Sequence, residues 1–219
     1  MFKAVIFDLD GVVVDSEPIS CATAEEVMLE LGMPKEAINK ELFIGRSDKD
    51  FIIEVNKEYN LNIDPEKYAN IRKGRYIENA RGNLQAFPGI KQFINKVKNS
   101  NILFAIASSG EKTKVDFQLK EIGLEDVFPI IINSDDVHKS KPDPQIYFTA
   151  AKKLGVEPEE CVAIEDAKTG LQSAKTAGMK TVAVATSFPK EELVADLVLE
   201  NPGELTLEKI KELFYFSSS

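Results

Sequence analysis

Short unbroken apolar runs alternate along this chain with stretches in which apolar residues return every three to four positions. The runs cover residues 4–7, 102–107, 129–132, 161–164, 181–184 and, with a weaker pattern, 196–199. None alternates with polar residues, as expected of strands buried on both faces of a parallel sheet. The intervening segments read as helices with marked ends. Pro88-Gly89 opens one whose Ile90, Phe93, Ile94 and Val97 share a face. Asp143 is the expected N-cap of a second, with Pro144 at its first turn, a buried stripe of Tyr147, Ala150, Ala151 and Leu154, and Gly155 at its end. Leu171, Ala174 and Gly178 mark a third, and Leu207, Ile210, Leu213 and Phe214 line one face of a last helix that completes the core. Strands alternating with helices predict an α/β fold built on a parallel sheet.

From about residue 17 to 81 this rhythm stops. Ala24, Val27, Met28 and Leu31 form a helical stripe ending at Gly32; Ile52, Val55 and Tyr59 form another; residues 65–80 read as a third. No strand pattern appears there, so the segment is expected to be an all-helical insertion. The expected domains are 1–15 with 86–219 as the core and 16–85 as the insertion, with crossings near 14–16 and 84–88 as hinge candidates. There is no internal repeat, and the serines at 217–219 are expected to fray.

Composition narrows the function. With 219 residues, 43% hydrophobic and 29% charged, the chain is that of a globular protein. Lys and Arg number 27 against 36 Asp and Glu, a net charge of -9, which disfavours a nucleic-acid-coating surface without excluding small phosphorylated ligands. Two cysteines, Cys21 and Cys161, suit a reducing compartment. No apolar run approaches the roughly 20 residues of a membrane helix, and Asp8 and Asp10 interrupt the N-terminal one, against a signal peptide. A cytoplasmic monomer acting on a small molecule, with neither membrane nor nucleic acid as partner, is the expectation.

Candidate chemistry gathers at the strand ends. Asp8-Leu9-Asp10-Gly11 follows the first run directly. The carboxyl edge of an open parallel sheet is where such folds place ligands. A carboxylate there can attack phosphorus, a second can carry the leaving-group proton, and Gly11 permits a sharp turn. A lone Asp after a strand is commonly only a turn former. At the end of the 161–164 run stand Glu165 and Asp166, two adjacent acids that repel unless a cation neutralises them; Mg²⁺ suits an all-oxygen set of this kind. Ser108-Ser109-Gly110, after the second run, offers a hydroxyl and backbone N–H groups to a phosphate, although an ordinary Ser N-cap reads the same way. Lys141, just before Pro142, could reach the carboxylates, though most lysines in such loops are surface residues. Together these supply the parts phosphoryl transfer requires.

The segments DLDGV, ASSG, KPDP and IEDAKTG, in that order, resemble the four motifs of the haloacid dehalogenase superfamily over essentially the whole chain, in the subgroup with a helical cap that includes β-phosphoglucomutase and phosphoglycolate-type phosphatases. The resemblance implies a Rossmann-like doubly wound core with a helical cap closing over it. It implies Asp8 as nucleophile, Asp10 as general acid/base, and Ser108 and Lys141 as phosphoryl binders, with Gly11, Ser109 and Gly110 around the phosphate. It implies Mg²⁺ held by Asp8, the Asp10 carbonyl and Asp166, with Glu165 beside them. Asp10 marks phosphoryl rather than dehalogenase chemistry. Where the mutase continues to a Thr and a His, this chain has Ser16 and Ser20, and its cap loop reads Gly45-Arg46-Ser47-Asp48, which displaces the mutase's arginine. A phosphomonoesterase is therefore the expectation and a phosphomutase the alternative; a non-catalytic phosphate-binding module would have been expected to lose one of the aspartates. Arg46, Ser47, Arg72 and Lys73 are candidates to grip the rest of the substrate, with Arg72 and Lys73 equally readable as solvated helix-face charge. His138 reads as surface.

Overall fold

The computed structural model describes residues 2–33 and 48–215. The chain forms two compact units, Met1–Asp15 with Gln85–Ser219, and Ser16–Leu84.

The first unit is built on six parallel strands: β1 (Ala4–Phe7), β4 (Leu103–Ala107), β5 (Ile131–Ile132), β6 (Cys161–Glu165), β7 (Lys180–Val184) and β8 (Leu197–Leu199). Their order across the sheet is β5-β4-β1-β6-β7-β8. Taken in sequence this is 3-2-1-4-5-6, the doubly wound order, with its switch point beside β1. Central β1 pairs with β4 on one side and β6 on the other, Phe7 standing opposite both Ile106 and Ile164. All four of its residues are fully buried, which explains the absence of polar alternation.

Helices α4 (Ile90–Lys98), α5 (Lys112–Glu121), α6 (Gln145–Leu154), α7 (Lys168–Thr176) and α8 (Leu207–Tyr215) complete this unit. Ile90, Phe93, Ile94 and Val97 of α4 are buried as their spacing requires. Phe7 meets Phe93 and Phe128 edge-on at 6.0 and 5.9 Å between centroids, a favoured aromatic geometry. Helix α6 starts one residue later than the sequence implies. Pro144 is its N-cap, and Asp143 Oδ1 accepts from the Gln145 N–H at 3.0 Å from one position further out, an Asx turn ahead of the helix. Gly155 ends α6 in the left-handed conformation.

The crossings, read in the sequence as hinge candidates, form a short antiparallel ribbon. Strand β2 (Val14–Asp15) pairs with β3 (Gln85–Ala86), Val14 opposite Ala86 and Asp15 opposite Gln85.

The second unit contains α1 (Glu17–Glu30), α2 (Asp48–Tyr59) and α3 (Pro65–Ala80). Its core gathers Val27, Met28, Phe51, Ile52, Val55 and Tyr68. Asp64 caps α3, accepting from the Glu66 N–H at 2.9 Å, with Pro65 in the first turn where its missing donor costs nothing. Among the described residues no helix is long and apolar enough to cross a membrane.

Candidate active site

The sheet switch point brings the ends of β1, β4 and β6 together. Asp8, one residue past β1, continues its ladder, its N–H bonding the Ile164 carbonyl at 2.9 Å. The chain then turns tightly, with Val13 and Val14 N–H groups both on the Leu9 carbonyl at 2.9 Å. Gly11 occupies this turn at φ +79°, and a Cβ there would run into the Asp166 carboxylate. Only glycine satisfies both conditions. Thr186 Oγ1 donates to the Gly11 carbonyl at 2.6 Å and fixes the turn from the end of β7.

Lys141 reaches this floor from the loop before α6, through a cis peptide bond to Pro142. Its ammonium donates to Asp8 Oδ1 at 2.5 Å, Glu165 Oε1 at 2.6 Å and the Ala107 carbonyl at 3.0 Å. Only 6% of its side chain is exposed. Burial works against the lysine's charge, but the Asp8 and Glu165 carboxylates outweigh it and hold its pKa well above the usual value. Burial also pushes Asp8 up, to about 7, with Lys141 pulling the other way and Glu165 adding to the rise. Burial, followed by the Glu165 and Asp8 charges, raises Asp166 well above the ordinary range.

Asp8, Glu165 and Asp166 are all buried, and each offers an oxygen within 4.8 Å of the others. Three carboxylates around one lysine leave an excess of negative charge, and the donors are all hard oxygens. That fits a small divalent cation such as Mg²⁺. Ser187 Oγ donates to Asp166 Oδ2 and orients that carboxylate.

Ser108 continues β4, its N–H bonding the Ile132 carbonyl at 2.9 Å. Its buried hydroxyl is not a helix cap: it accepts the Gly110 N–H at 3.1 Å, and α5 starts only after Glu111. Ser109 is exposed and Gly110 half-buried. Asp10 is held from α5, its Oδ2 accepting from Lys114 Nζ at 3.0 Å and its Oδ1 from Gln118 Nε2 at 2.7 Å.

The structure thus gathers Asp8, Lys141, Glu165 and Asp166 on one floor. In the helical unit, Arg72 Nη2 donates to Ser20 Oγ at 2.6 Å, while Lys73 is exposed. Arg46 and Ser47 lie outside the described residues. His138 is exposed. Sequence reading missed Lys114, Gln118, Tyr147, Thr186 and Ser187. The i, i+4 spacing of Lys114 and Gln118, on a helix rising from a strand end, is the one signal that could have found the first two.

Comparison with known proteins settles the lineage: a family model described as haloacid dehalogenase-like hydrolase matches residues 5–184. The chain belongs to this family. Its curated relatives in the haloacid dehalogenase-like family include YhcW of Bacillus subtilis (strain 168), named as a candidate phosphatase, which is 34% identical over 186 residues, 84% of each chain. The β-phosphoglucomutase of the same organism is 32% identical over 221 residues, 96% of this chain and 94% of that protein. Among solved structures, a haloacid dehalogenase hydrolase of Entamoeba histolytica superposes with a TM-score of 0.87 at 29% identity, over 97% of this chain and 99% of that one.

Proposed function

We propose that the protein is a Mg²⁺-dependent phosphomonoesterase of a small phosphorylated metabolite, a sugar phosphate or similar, working through a phosphoryl group carried on Asp8. The observation that carries this reading is the buried Lys141 ammonium bonded at once to Asp8 and Glu165, beside Asp166. A carboxylate and a phosphate dianion repel each other, and a buried cation at 2.5 Å from the Asp8 oxygen lowers that barrier.

Asp8 attacks phosphorus, and the bond from phosphorus to the ester oxygen breaks. The leaving oxygen takes its proton from Asp10, which Lys114 and Gln118 hold in place. Asp10, now a carboxylate, accepts a proton from the water that attacks the phosphorylated Asp8, releasing inorganic phosphate and restoring the nucleophile. The Ser108 hydroxyl and Lys141 hold the phosphoryl oxygens through both halves. Asp8, Asp166 and the Asp10 carbonyl, with Glu165 beside them, would hold Mg²⁺, which supplies further neutralisation of phosphoryl charge when bound.

A second reading, transfer between two hydroxyls of one sugar, is supported by the near full-length similarity to a β-phosphoglucomutase. The two share the first half-reaction and part at the acceptor, water or sugar. A panel of phosphate monoesters including β-glucose 1-phosphate, followed for inorganic phosphate and for glucose 6-phosphate with Mg²⁺ and with chelator, separates them. Mg²⁺-dependent phosphate release, abolished in Asp8→Asn, is the expected result. Conversion of the glucose phosphate without free phosphate would establish the mutase, and retained turnover in Asp8→Asn would refute Asp8 as nucleophile.

A further inference from the structure

We infer that Tyr147 is a positioning residue for phosphoryl transfer, acting through Glu165 on Lys141; this rests on the reading of Asp8 and Lys141 given above. Tyr147 lies on α6, completely buried among Ile6, Ala107, Ile132 and Ala163. A phenylalanine would fill that volume without burying a hydroxyl, so an apolar neighbourhood alone does not account for tyrosine. The hydroxyl donates to Glu165 Oε1 at 2.7 Å, the same oxygen that accepts from Lys141 at 2.6 Å. The ring lies with its centroid 5.1 Å from the Lys141 nitrogen, within reach of a cation–π contact. One side chain therefore touches both halves of the ion pair.

Glu165 is pinned from every direction. Oε2 accepts the backbone N–H groups of Asp166 and Ala167 at 3.2 and 3.4 Å. From α7, Gly170 leaves the space its carboxylate occupies; a Cβ there would collide with it. Lys141 in turn spends its three protons on Asp8, Glu165 and the Ala107 carbonyl. Binding a phosphoryl oxygen means redirecting one of them. The nitrogen must stay in place while that happens, and the Glu165 anchor with the tyrosine beneath supplies the fixed point. Charge on the transferring group is concentrated against Lys141 in the transition state, so the position of Nζ governs kcat more than KM.

The test is Tyr147→Phe in the full-length protein with Mg²⁺. Loss of one hydrogen bond to a charged group predicts a fall in kcat of about tenfold, with KM changed less than about twofold. Inhibition by vanadate, which mimics the five-coordinate phosphorus, should weaken about as much as kcat falls, while inhibition by inorganic phosphate stays unchanged. In a Glu165→Ala background the same substitution should add nothing further, because the oxygen that joins Tyr147 to Lys141 is gone. Gly170→Ala, whose Cβ would collide with the same Glu165 carboxylate from α7, should reproduce the kcat loss and the vanadate effect. Tyr147→Phe with wild-type kcat and vanadate affinity, or an equal loss in both backgrounds, would overturn the role while leaving the phosphatase reading intact. A wild-type protein that transfers no phosphoryl group would overturn both.

Discussion

Replacing Asp166 by Asn should stabilise the metal-free protein while removing its activity. Asp8, Glu165 and Asp166 place carboxylate oxygens within 4.8 Å of one another, around the single ammonium of Lys141. At that separation and an effective dielectric of about 20, each like-charged pair costs about 3 kcal/mol. Asp166 takes part in two such pairs, and attraction to Lys141 returns about one. Proton uptake by the cluster lowers the remainder, so the expected gain is roughly 1–3 kcal/mol. In a chain of this size that corresponds to a rise of about 3–10 °C in melting temperature. The assay is urea and thermal unfolding of both proteins in chelator and in saturating Mg²⁺. Wild type should gain about 2.7 kcal/mol when Mg²⁺ stands at a hundred times its dissociation constant, and the variant far less. The order of stability would then close or reverse between the two conditions. An Asp166→Asn protein no more stable than wild type in chelator would refute the picture of a cluster held together against its own repulsion.

Two further outcomes test the frame of the site and the sheet behind it. Gly11→Ala combines a left-handed backbone, φ +79°, with a Cβ driven into Asp166; it should destabilise the fold by about 1–2 kcal/mol and cut turnover by at least about a hundredfold, read by unfolding and by phosphate release. Asp196 accepts from the Thr181 N–H at 2.8 Å and its hydroxyl at 2.9 Å, and these bonds, with Lys180 nearby, outweigh burial and hold its pKa below the usual carboxylate value. A lowered folded-state pKa contributes stability that is present above pH 4 and lost as pH falls. Asp196→Asn should therefore cost up to about 1 kcal/mol near pH 7, a figure moderated by solvent screening, with the difference shrinking in melting curves as pH falls below about 4.

The strands were legible because burial on both faces removes polar residues from them, so residues 4–7 and 161–164 stand out as apolar runs. The acids that follow were legible because they come in pairs, Asp8 with Asp10 and Glu165 with Asp166, at the ends of two such runs, where a lone Asp is commonly only a turn former. The ribbon between Val14–Asp15 and Gln85–Ala86 was not: two residues per strand are too few to carry a period. The start of α6 slipped by a residue because Asp143 bonds the backbone just as a true N-cap does. Lys114 and Gln118 were passed over, since nothing local says that a helix brings them to a carboxylate 104 and 108 residues away. Tyr147 fell on an apolar stripe and was read as core, which its ring is and its hydroxyl is not.

The β2–β3 ribbon has a bearing on how such a chain can change over time. Asp15 and Gln85 stand directly opposite each other, so the whole segment between them begins and ends at one doorstep of the sheet unit. For the sheet, residues 16–84 are a loop whose ends are already tied. The entropy of closing a flexible loop grows only with the logarithm of its length, about 0.6 kcal/mol for each doubling. Helices in that segment can be lengthened, shed or exchanged for others at small cost to the part that carries Asp8 and Lys141. The architecture is that of a tool holder, with the bit replaceable while the grip stays the same.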